Sequence, residues 1–363
     1  MARPAVALCS ALVSAVLASA TSNGYVAYRV DTTWTPRFPD GAGTFSAVGI
    51  TGDHVVVSQR DARYSDPVLV LSRESGEVLL SFGGTAVGKV NDTFGSHGLS
   101  IQRADPASGR MEDVIWVMDF FNHTVLSFDL KGKLLGSAGR SGFASADLDK
   151  FDHVADATFR GGSAFFADGD GGDNNRVERW GAPSGQPVSV EWVSPLLPPA
   201  QRKVEEFSNP HGLTWHEASD RLLVADREHS RIVLMDPETG HVTGNFTCDG
   251  LRLGAGGKPF GVRARRAAGE DLLFVAVADN PQDGNNQFLH IVDVSTLAKT
   301  GGCKSVLQTI QFEPSFCRTP HLMGLDHETG DVYLACVGVP GSNLVRLTRG
   351  AAPAPAAAAA VLV

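Results

Sequence analysis

The chain has 363 residues, of which 43% are hydrophobic and 40 are glycine, and its formal net charge is −9. This length allows a large core, and the many glycines with few helical patterns indicate short strands joined by tight turns. Because the charge is negative and no Lys/Arg cluster stands out, the composition argues against a nucleic-acid or anionic-membrane partner.

The first 20 residues have the pattern of a secretory signal peptide. Arg3 precedes an uncharged apolar stretch, and residues 18–20 form the small-x-small pattern of a signal-peptidase site. The apolar stretch is shorter than the roughly 20 residues that a spanning helix needs, although a membrane anchor is the alternative. We expect cleavage after Ala20 and a secreted protein with no stable membrane span. Residues 21–44 then lead into the folded region.

Residues 45–348 contain six segments with one plan: an apolar strand, a turn, a second strand that ends in Asp, a polar turn and a third strand. Four strand-end aspartates are spaced 49, 58 and 53 residues apart: Asp119, Asp168, Asp226 and Asp279. Four short strands with their turns need about that length. Such a unit cannot bury both faces alone, so successive units must stack. The sequence therefore predicts an all-β fold, a six-bladed β-propeller; a β-sandwich would not show a motif that recurs six times.

Histidine stands where the first strand begins in every second repeat: His97, His211 and His321. The odd repeats have other residues at about that position: Ser46, Ala155 and Phe260. First strands line the channel of a propeller, and alternate blades are about 120° apart, so three imidazoles would converge on the axis. That is the geometry of a three-histidine zinc site with an open fourth position.

Any one of these histidines alone would more readily be a structural residue that caps a turn or bonds a carbonyl group. It is their matched alternation that favours a metal site. The remaining histidines, such as His123, His153 and His216, show no such register. We interpret most of them as surface residues.

Three sequons are compatible with the secretory route: Asn91, Asn122 and Asn245. Four cysteines remain after signal cleavage: Cys248, Cys303, Cys317 and Cys336. An even number in a secreted protein allows two disulfides in any of three pairings, and no C-x-x-C spacing indicates a thiolate metal site. Residues 349–363, rich in Ala and Pro, are predicted to form a disordered tail.

The repeats resemble NHL repeats, and nearly all of residues 45–348 is similar to the peptidyl-α-hydroxyglycine α-amidating lyases, the second catalytic unit of the peptide-amidating enzymes. The segments "SHGLSI", "NPHGLTW" and "TPHLMGL" match the zinc-histidine strands of blades two, four and six in that family. The resemblance implies zinc on these three histidines. It also implies two catalytic arginines, Arg60 in "VVVSQRDARY" and Arg227 in "VADREHSRI", that hold the substrate carboxylate and the developing oxyanion. An Asp-Arg pair at the position of Arg227 is also common in non-enzymatic NHL repeats.

The implied activity is that of a peptidylamidoglycolate lyase, which splits a peptide ending in α-hydroxyglycine into a peptide amide and glyoxylate. Zinc would lower the pKa of the substrate hydroxyl, and no redox cofactor is needed. The sequence shows no copper-dependent hydroxylating unit. We therefore expect a separate hydroxylating monooxygenase to act upstream.

The chain departs from the family at two places. In the third blade the family has a Tyr, where this chain reads "ADGDGGDNNR" with Asp170; either Asp170 or Tyr64 would supply the missing group. The family's structural calcium is held by two carbonyl groups, matched here by Val48 and Leu99, and by an Asp that Leu322 replaces. The acidic turn 168–174 is either an alternative calcium site or a solvated glycine-rich turn, and it does not match an EF-hand loop, because Gly172 stands where a third ligand is expected.

Two other functions are compatible with the fold. A secreted NHL propeller that binds a partner without catalysis would share most repeat positions, and the missing Tyr favours it. It does not explain the alternating histidines together with both arginines. A lactonase-type propeller hydrolase uses Glu, Asp and Asn around a channel calcium, and the strand starts show no such set.

Overall fold

The computed structural model describes residues 15–16, 25, 27–194, 207–253, 257–267, 269–278, 287–338 and 343–350. Six antiparallel sheets follow one another along the chain, five with four strands and one with five. The first strand of each sheet contacts the first strand of the next, and the sixth contacts the first, so the sheets close into a ring. The prediction of a six-bladed β-propeller is confirmed.

Blades one to three lie in chain order from the channel outwards. Blade one contains β3 (Phe45–Thr51), β4 (His54–Gln59), β5 (Val68–Ser72) and β6 (Val78–Phe82). Blade two contains β9 (Ser96–Gln102), β10 (Val114–Asp119), β11 (Thr124–Phe128) and β12 (Leu134–Gly139). Blade three contains β13 (Val154–Arg160), β14 (Ser163–Asp168), β15 (Arg176–Gly181) and β16 (Ser189–Ser194).

Blades four and five continue the pattern. Blade four contains β17 (Pro210–His216), β18 (Arg221–Asp226), β19 (Arg231–Met235) and β20 (Val242–Asn245). Blade five contains β21 (Lys258–Ala267), β22 (Glu270–Ala278), β23 (Gln287–Asp293) and β24 (Ser305–Gln311). Smaller elements are the hairpin of β7 (Lys89–Val90) and β8 (Thr93–Phe94), a 3-10 helix (Pro106–Ser108) and the helix α1 (Leu297–Thr300).

Blade six joins the two ends of the described chain. It contains β25 (Thr319–Leu325), β26 (Val332–Val337), β27 (Asn343–Arg349) and β2 (Tyr28–Val30). The outer strand β2 comes from the segment 21–44, and it pairs with β27 through Tyr28 opposite Arg349 and Val30 opposite Leu347. The ring is therefore closed by backbone hydrogen bonds between residues about 320 positions apart in sequence.

The ends of the chain are described only in part. Of the predicted signal peptide, the structure describes a two-residue strand, β1 (Ala15–Val16), beside β24. Of the predicted tail, it describes positions 349 and 350, and the rest lies outside the described residues. No helix in the described ranges is both long and apolar enough to cross a bilayer.

The hydrophobic core lies between neighbouring blades. The middle strands are buried on both faces, which explains continuous apolar runs such as "VIWVMD" in β10. Trp116 of blade two, fully buried, contacts Phe159 and Phe166 of blade three at ring-centroid distances of 5.6 and 5.7 Å. Truncating such a side chain costs about 3–5 kcal/mol.

The strand-end aspartates bind the loop that leads into the first strand of their own blade. The bonds are Gly88 N–H to Asp119 (2.6 Å), Asp152 N–H to Asp168 (2.9 Å) and Ser208 N–H to Asp226 (2.6 Å). All three carboxylates are fully buried. The recurring Asp therefore fixes the backbone immediately before the channel strand. Asp279 lies outside the described residues.

The four cysteines form two disulfides, which settles the pairing that the sequence left open. Cys248 pairs with Cys303 and Cys317 with Cys336, each with a Cα–Cα distance of 5.1 Å. Disulfides fit an extracellular or secretory compartment. Of the sequons, Asn91 and Asn245 are exposed, whereas Asn122 is half-buried.

Candidate metal centre

The three alternating histidines meet at one end of the channel. The imidazole centroids of His97, His211 and His321 lie 4.7 to 5.1 Å apart in each pair. One nitrogen from each ring lies within 4.8 Å of the other two, and all three residues are buried. The closed ring thus brings together three residues that are far apart in sequence, as their matching repeat positions predict.

A β-bulge aims each histidine into the channel. In all six blades the pairing of the first and second strands slips by one residue at the position that carries His97, His211 or His321 in the even blades. The odd blades slip at the matching positions: Ser46, Ala155 and Phe260. A bulge leaves one residue unpaired and redirects it. In the even blades it frees a side chain, and in the odd blades a carbonyl group.

These freed carbonyl groups orient the imidazoles. Each histidine Nδ1 donates to the odd blade next along the chain, with the sixth blade bonding to the first: His97 to Ala155 O (3.1 Å), His211 to Phe260 O (2.7 Å) and His321 to Ser46 O (2.6 Å). A neutral imidazole whose Nδ1 donates keeps a lone pair on Nε2. Carbonyl acceptors of this kind commonly orient histidines that ligate metals through the other nitrogen.

The glycine that follows two of the histidines lets the carbonyl group approach. A Cβ atom on Gly98 would lie 2.1 Å from Ala155 O, and one on Gly212 would lie 2.6 Å from Phe260 O. Either contact would push the acceptor away from the imidazole. The His-Gly pair in "SHGLSI" and "NPHGLTW" therefore belongs to the site.

Burial favours the neutral imidazole of His211 and of His321. It lowers the pKa of His211 to about 3 and holds the pKa of His321 well below its ordinary value, with the neighbouring histidines adding to the effect on His321. His211 Nε2 is buried and has no hydrogen-bond partner in the described part of the chain. An orphaned buried nitrogen costs free energy unless a ligand uses it. The residues present therefore fit a metal ion that takes nitrogen ligands, such as zinc.

Asp170 lies on the open side of the three histidines. Its Oδ2 is 2.9 Å from His97 Nε2 and 4.0 Å from His211 Nε2, while Oδ1 accepts a 2.6 Å hydrogen bond from Arg227. Burial alone would raise the pKa of the Asp170 carboxyl, but the two histidines and Arg227 hold it well below the ordinary value. The sequence placed Asp170 at the site, but its bond to Arg227 was missed.

Both predicted arginines lie near this group, in different environments. Arg227 is paired with Asp170, and its guanidinium lies 5.1 Å from the centroid of Phe260. Arg60 lies 5.7 Å from the centroid of Phe120 and has no ion pair within the described ranges. Burial lowers the pKa of Arg60, and the charge of Asp170 opposes that effect. Arg60 is therefore the cation that an incoming anion would meet without competition from a bonded carboxylate.

The residues proposed for calcium do not fit that ion. Leu322, at the position of the family's Asp, is fully buried in an apolar cluster with Leu99. Val48 is buried as well, but calcium needs six to eight oxygen ligands, and these positions offer backbone carbonyl groups without a carboxylate. The acidic turn does not converge either, because Asp168 is engaged by buried Asn174 while Asp170 faces the histidines.

Two further expectations fail. Tyr64 OH bonds to Ser81 Oγ at 3.0 Å on the side of blade one, so this phenol does not replace the family's Tyr. Among the histidines interpreted as surface residues, His216 is buried, and His123 and His153 are half-buried.

An ion pair that the sequence did not predict crosses the channel one residue beyond the bulge of blade three. The carboxylate of Asp156 is fully buried and accepts hydrogen bonds from both terminal nitrogens of Arg263 in blade five, at 2.6 and 2.8 Å. It also accepts from Ser100 Oγ in blade two (3.0 Å) and from Leu213 N–H in blade four (3.1 Å). This pair therefore joins four blades beneath the histidines.

Comparison with known proteins finds relatives that include an NHL repeat-containing protein. The chain is 30% identical over 328 residues to the NHL repeat-containing protein 3 of Homo sapiens, covering 86% of this chain and 82% of that protein. It is 27% identical over 239 residues to the peptidylglycine alpha-amidating monooxygenase of Rattus norvegicus, covering 65% of this chain and 22% of that protein. A solved putative gluconolactonase has a TM-score of 0.52 at 14% identity, covering 86% of this chain and 93% of that one, which shows the fold alone. No family model matches the chain.

Proposed function

The chain belongs to the NHL-repeat β-propeller family, and on that premise we propose that its central site is a zinc-dependent lyase that splits peptidyl-α-hydroxyglycine into a peptide amide and glyoxylate. The observation that carries the proposal is the set of three imidazoles whose Nδ1 atoms are held by carbonyl groups and whose Nε2 atoms face one another. The likeness to the amidating monooxygenase supports it.

His97, His211 and His321 would hold the ion through Nε2, because their Nδ1 atoms are already used. When bound, zinc supplies a Lewis acid that lowers the pKa of a hydroxyl group beside it. The lowered pKa values of buried His211 and His321 favour this role, since only the neutral ring has a lone pair to offer.

The charged side chains around the histidines suit this substrate. Arg60, which has no ion pair in the part of the chain that the structure describes, would bind the substrate's terminal carboxylate. Asp170, ionised at neutral pH, would accept the hydroxyl proton and pass it to the amide nitrogen as the C–N bond breaks and the C=O bond of glyoxylate forms. Arg227 would hold Asp170 in position through its 2.6 Å bond.

A second function has one observation in its favour. Asp170 already contacts His97 Nε2 and already pairs with Arg227. If this carboxylate stays there when the metal is bound, it fills the position that a substrate hydroxyl needs, and it neutralises one of the two cations. The chain would then be a metal-stabilised propeller that binds a partner without catalysis.

The test is glyoxylate release from a short peptidyl-α-hydroxyglycine by the zinc-loaded protein, with and without a zinc chelator. We expect release that the chelator abolishes and that His211→Ala reduces at least 100-fold. His229→Ala is the matched control, because His229 bonds to Asp226 at 2.8 Å and not to the centre, and it should retain activity.

Two outcomes separate the candidate functions. Asp170→Asn should lower the turnover at least 10-fold if this carboxylate moves the proton. Folded, zinc-loaded wild-type protein that releases no glyoxylate would overturn the lyase proposal. If Asp170→Tyr then gained activity, the wild-type carboxylate would be identified as the group that blocks the site.

A further inference from the structure

A second cluster of metal-ligand side chains lies on the same face of the propeller as the central histidines. His123 stands in the turn between β10 and β11, and Asp152 and His153 lie in the loop before β13. Asp152 Oδ1 is 3.8 Å from His123 Nδ1 and 3.8 Å from His153 Nε2. Both separations are too long for a hydrogen bond. Two ligand atoms about 2.1 Å from one ion at a tetrahedral angle are about 3.4 Å apart, so the spacing is close to that of a shared ion.

The carboxylate is fixed with one oxygen free. Asp152 Oδ2 accepts the backbone N–H of Asp173 at 2.5 Å, and the Asp152 N–H is bonded to Asp168 at 2.9 Å. Asp152 is 8% exposed, so water does little to solvate its charge. The remaining oxygen, Oδ1, faces the two imidazoles.

The imidazoles are also positioned. The ring of His153 stacks on Phe120 at 4.0 Å between centroids and 9° between planes, and its buried Nδ1 has no hydrogen-bond partner within the described ranges. His123 has a φ of +57°, a left-handed conformation that is uncommon for residues other than glycine. Asn175 and Ser230 also have a positive φ at the matching turns of blades three and four, so the conformation of His123 belongs to the repeat.

We propose that His123, Asp152 and His153 bind a second divalent transition-metal ion. Two imidazole nitrogens and one carboxylate oxygen are the donor set that zinc, copper or nickel prefers, whereas calcium requires oxygen ligands throughout. His123 Nδ1 bonds to the carbonyl oxygen of Asp152 at 2.6 Å, and a bound ion has to replace this bond. At the centre a bound ion also has to replace the contact of Asp170 with His97, but His211 Nε2 has no hydrogen-bond partner within the described ranges, so we expect the second site to be the weaker one.

The two sites are separated by one aromatic ring. Phe120 lies between His97 of the centre and His153 of the second cluster, at centroid distances of 5.8 and 4.0 Å. Arg60 also contacts this ring. The proposal does not depend on the lyase activity, because the second cluster shares no ligand with the centre.

The test is zinc stoichiometry of the full chain, by equilibrium dialysis and elemental analysis. We expect two ions per wild-type chain, one bound tightly and one at least 10-fold more weakly. His153→Phe keeps the stack on Phe120 but removes both nitrogens, so it should bind one ion tightly. His211→Ala should lose the tight ion and retain the weak one, and His229→Ala should retain both.

The zinc stoichiometry tests the second site, and the release of glyoxylate tests the lyase proposal, so either proposal can be overturned alone. One zinc ion per wild-type chain, or a second ion that His153→Phe and Asp152→Asn both retain, would overturn the second site and leave the lyase proposal untouched. Absence of glyoxylate release with two bound ions would overturn the lyase proposal and leave the second site standing. Circular dichroism of each variant shows whether a lost ion reflects lost folding.

Discussion

The central channel has two levels that use the same strands in opposite ways: an upper level, the three histidines at the bulges, and a lower level, the ion pair of Asp156 with Arg263. At the bulges, His211 Nε2 is buried without a hydrogen-bond partner among the residues that the structure describes. One residue further along blade three, Asp156 receives hydrogen bonds from Arg263, Ser100 and Leu213, so its carboxylate is fully used. A level that leaves buried polar atoms unpaired is suited to a ligand, and a level that pairs all of them is suited to holding blades together.

The largest effect should come from breaking the lower level. Asp156→Ala leaves the Arg263 guanidinium without its partner in a largely buried position, which costs about 3–5 kcal/mol of unfolding free energy. Denaturant unfolding measures the loss. The double variant Asp156→Leu with Arg263→Met should be less destabilised than the single variant, because no unpaired charge remains. A single variant within 1 kcal/mol of wild type would show that the pair does not hold the ring.

Acid should act on the upper level. The folded pKa of His211 is about 3, against 6.5 in the unfolded chain. Between those values the unfolded chain binds the proton and the folded chain does not, so metal-free protein loses stability as the pH falls from about 6.5 towards 3. Each such imidazole contributes up to about 1.4 kcal/mol per pH unit. The unfolding free energy of His211→Leu should fall less steeply with pH, and equal slopes would contradict this.

The smallest effects on the unfolding free energy should come from added metal ions, and zinc and calcium should differ. If the centre binds zinc as proposed, zinc at 100 times its dissociation constant should stabilise the folded chain by about 2.7 kcal/mol, whereas millimolar calcium should add less than about 0.5 kcal/mol, because Leu322 supplies no carboxylate. Thermal unfolding of the metal-stripped protein with each ion measures both values. A calcium effect as large as that of zinc would contradict this expectation and would indicate calcium ligands other than the carbonyl groups of Val48 and Leu99.

The three-histidine centre could be predicted from the sequence because a repeat places equivalent residues at equivalent positions. The hydrogen-bond acceptors of His97, His211 and His321 could not be predicted, since every residue has a backbone carbonyl group and no residue type marks the one that accepts. The Asp156 pair was missed because its partner lies two blades away and only the closed ring brings them together. The cluster at His123 was missed for the same reason, since 29 residues separate it from Asp152 and no repeat position links them.

The closing strand β2 makes the order of synthesis matter. Blades one to five can form as the chain leaves the ribosome, but β2 cannot pair until β27, which ends at Arg349, has been made. Until then the first blade has no sixth neighbour, and its apolar face is open to water and to other nascent chains. Ring closure is thus a late step between very distant residues, which predicts slow maturation and a need for chaperones during it.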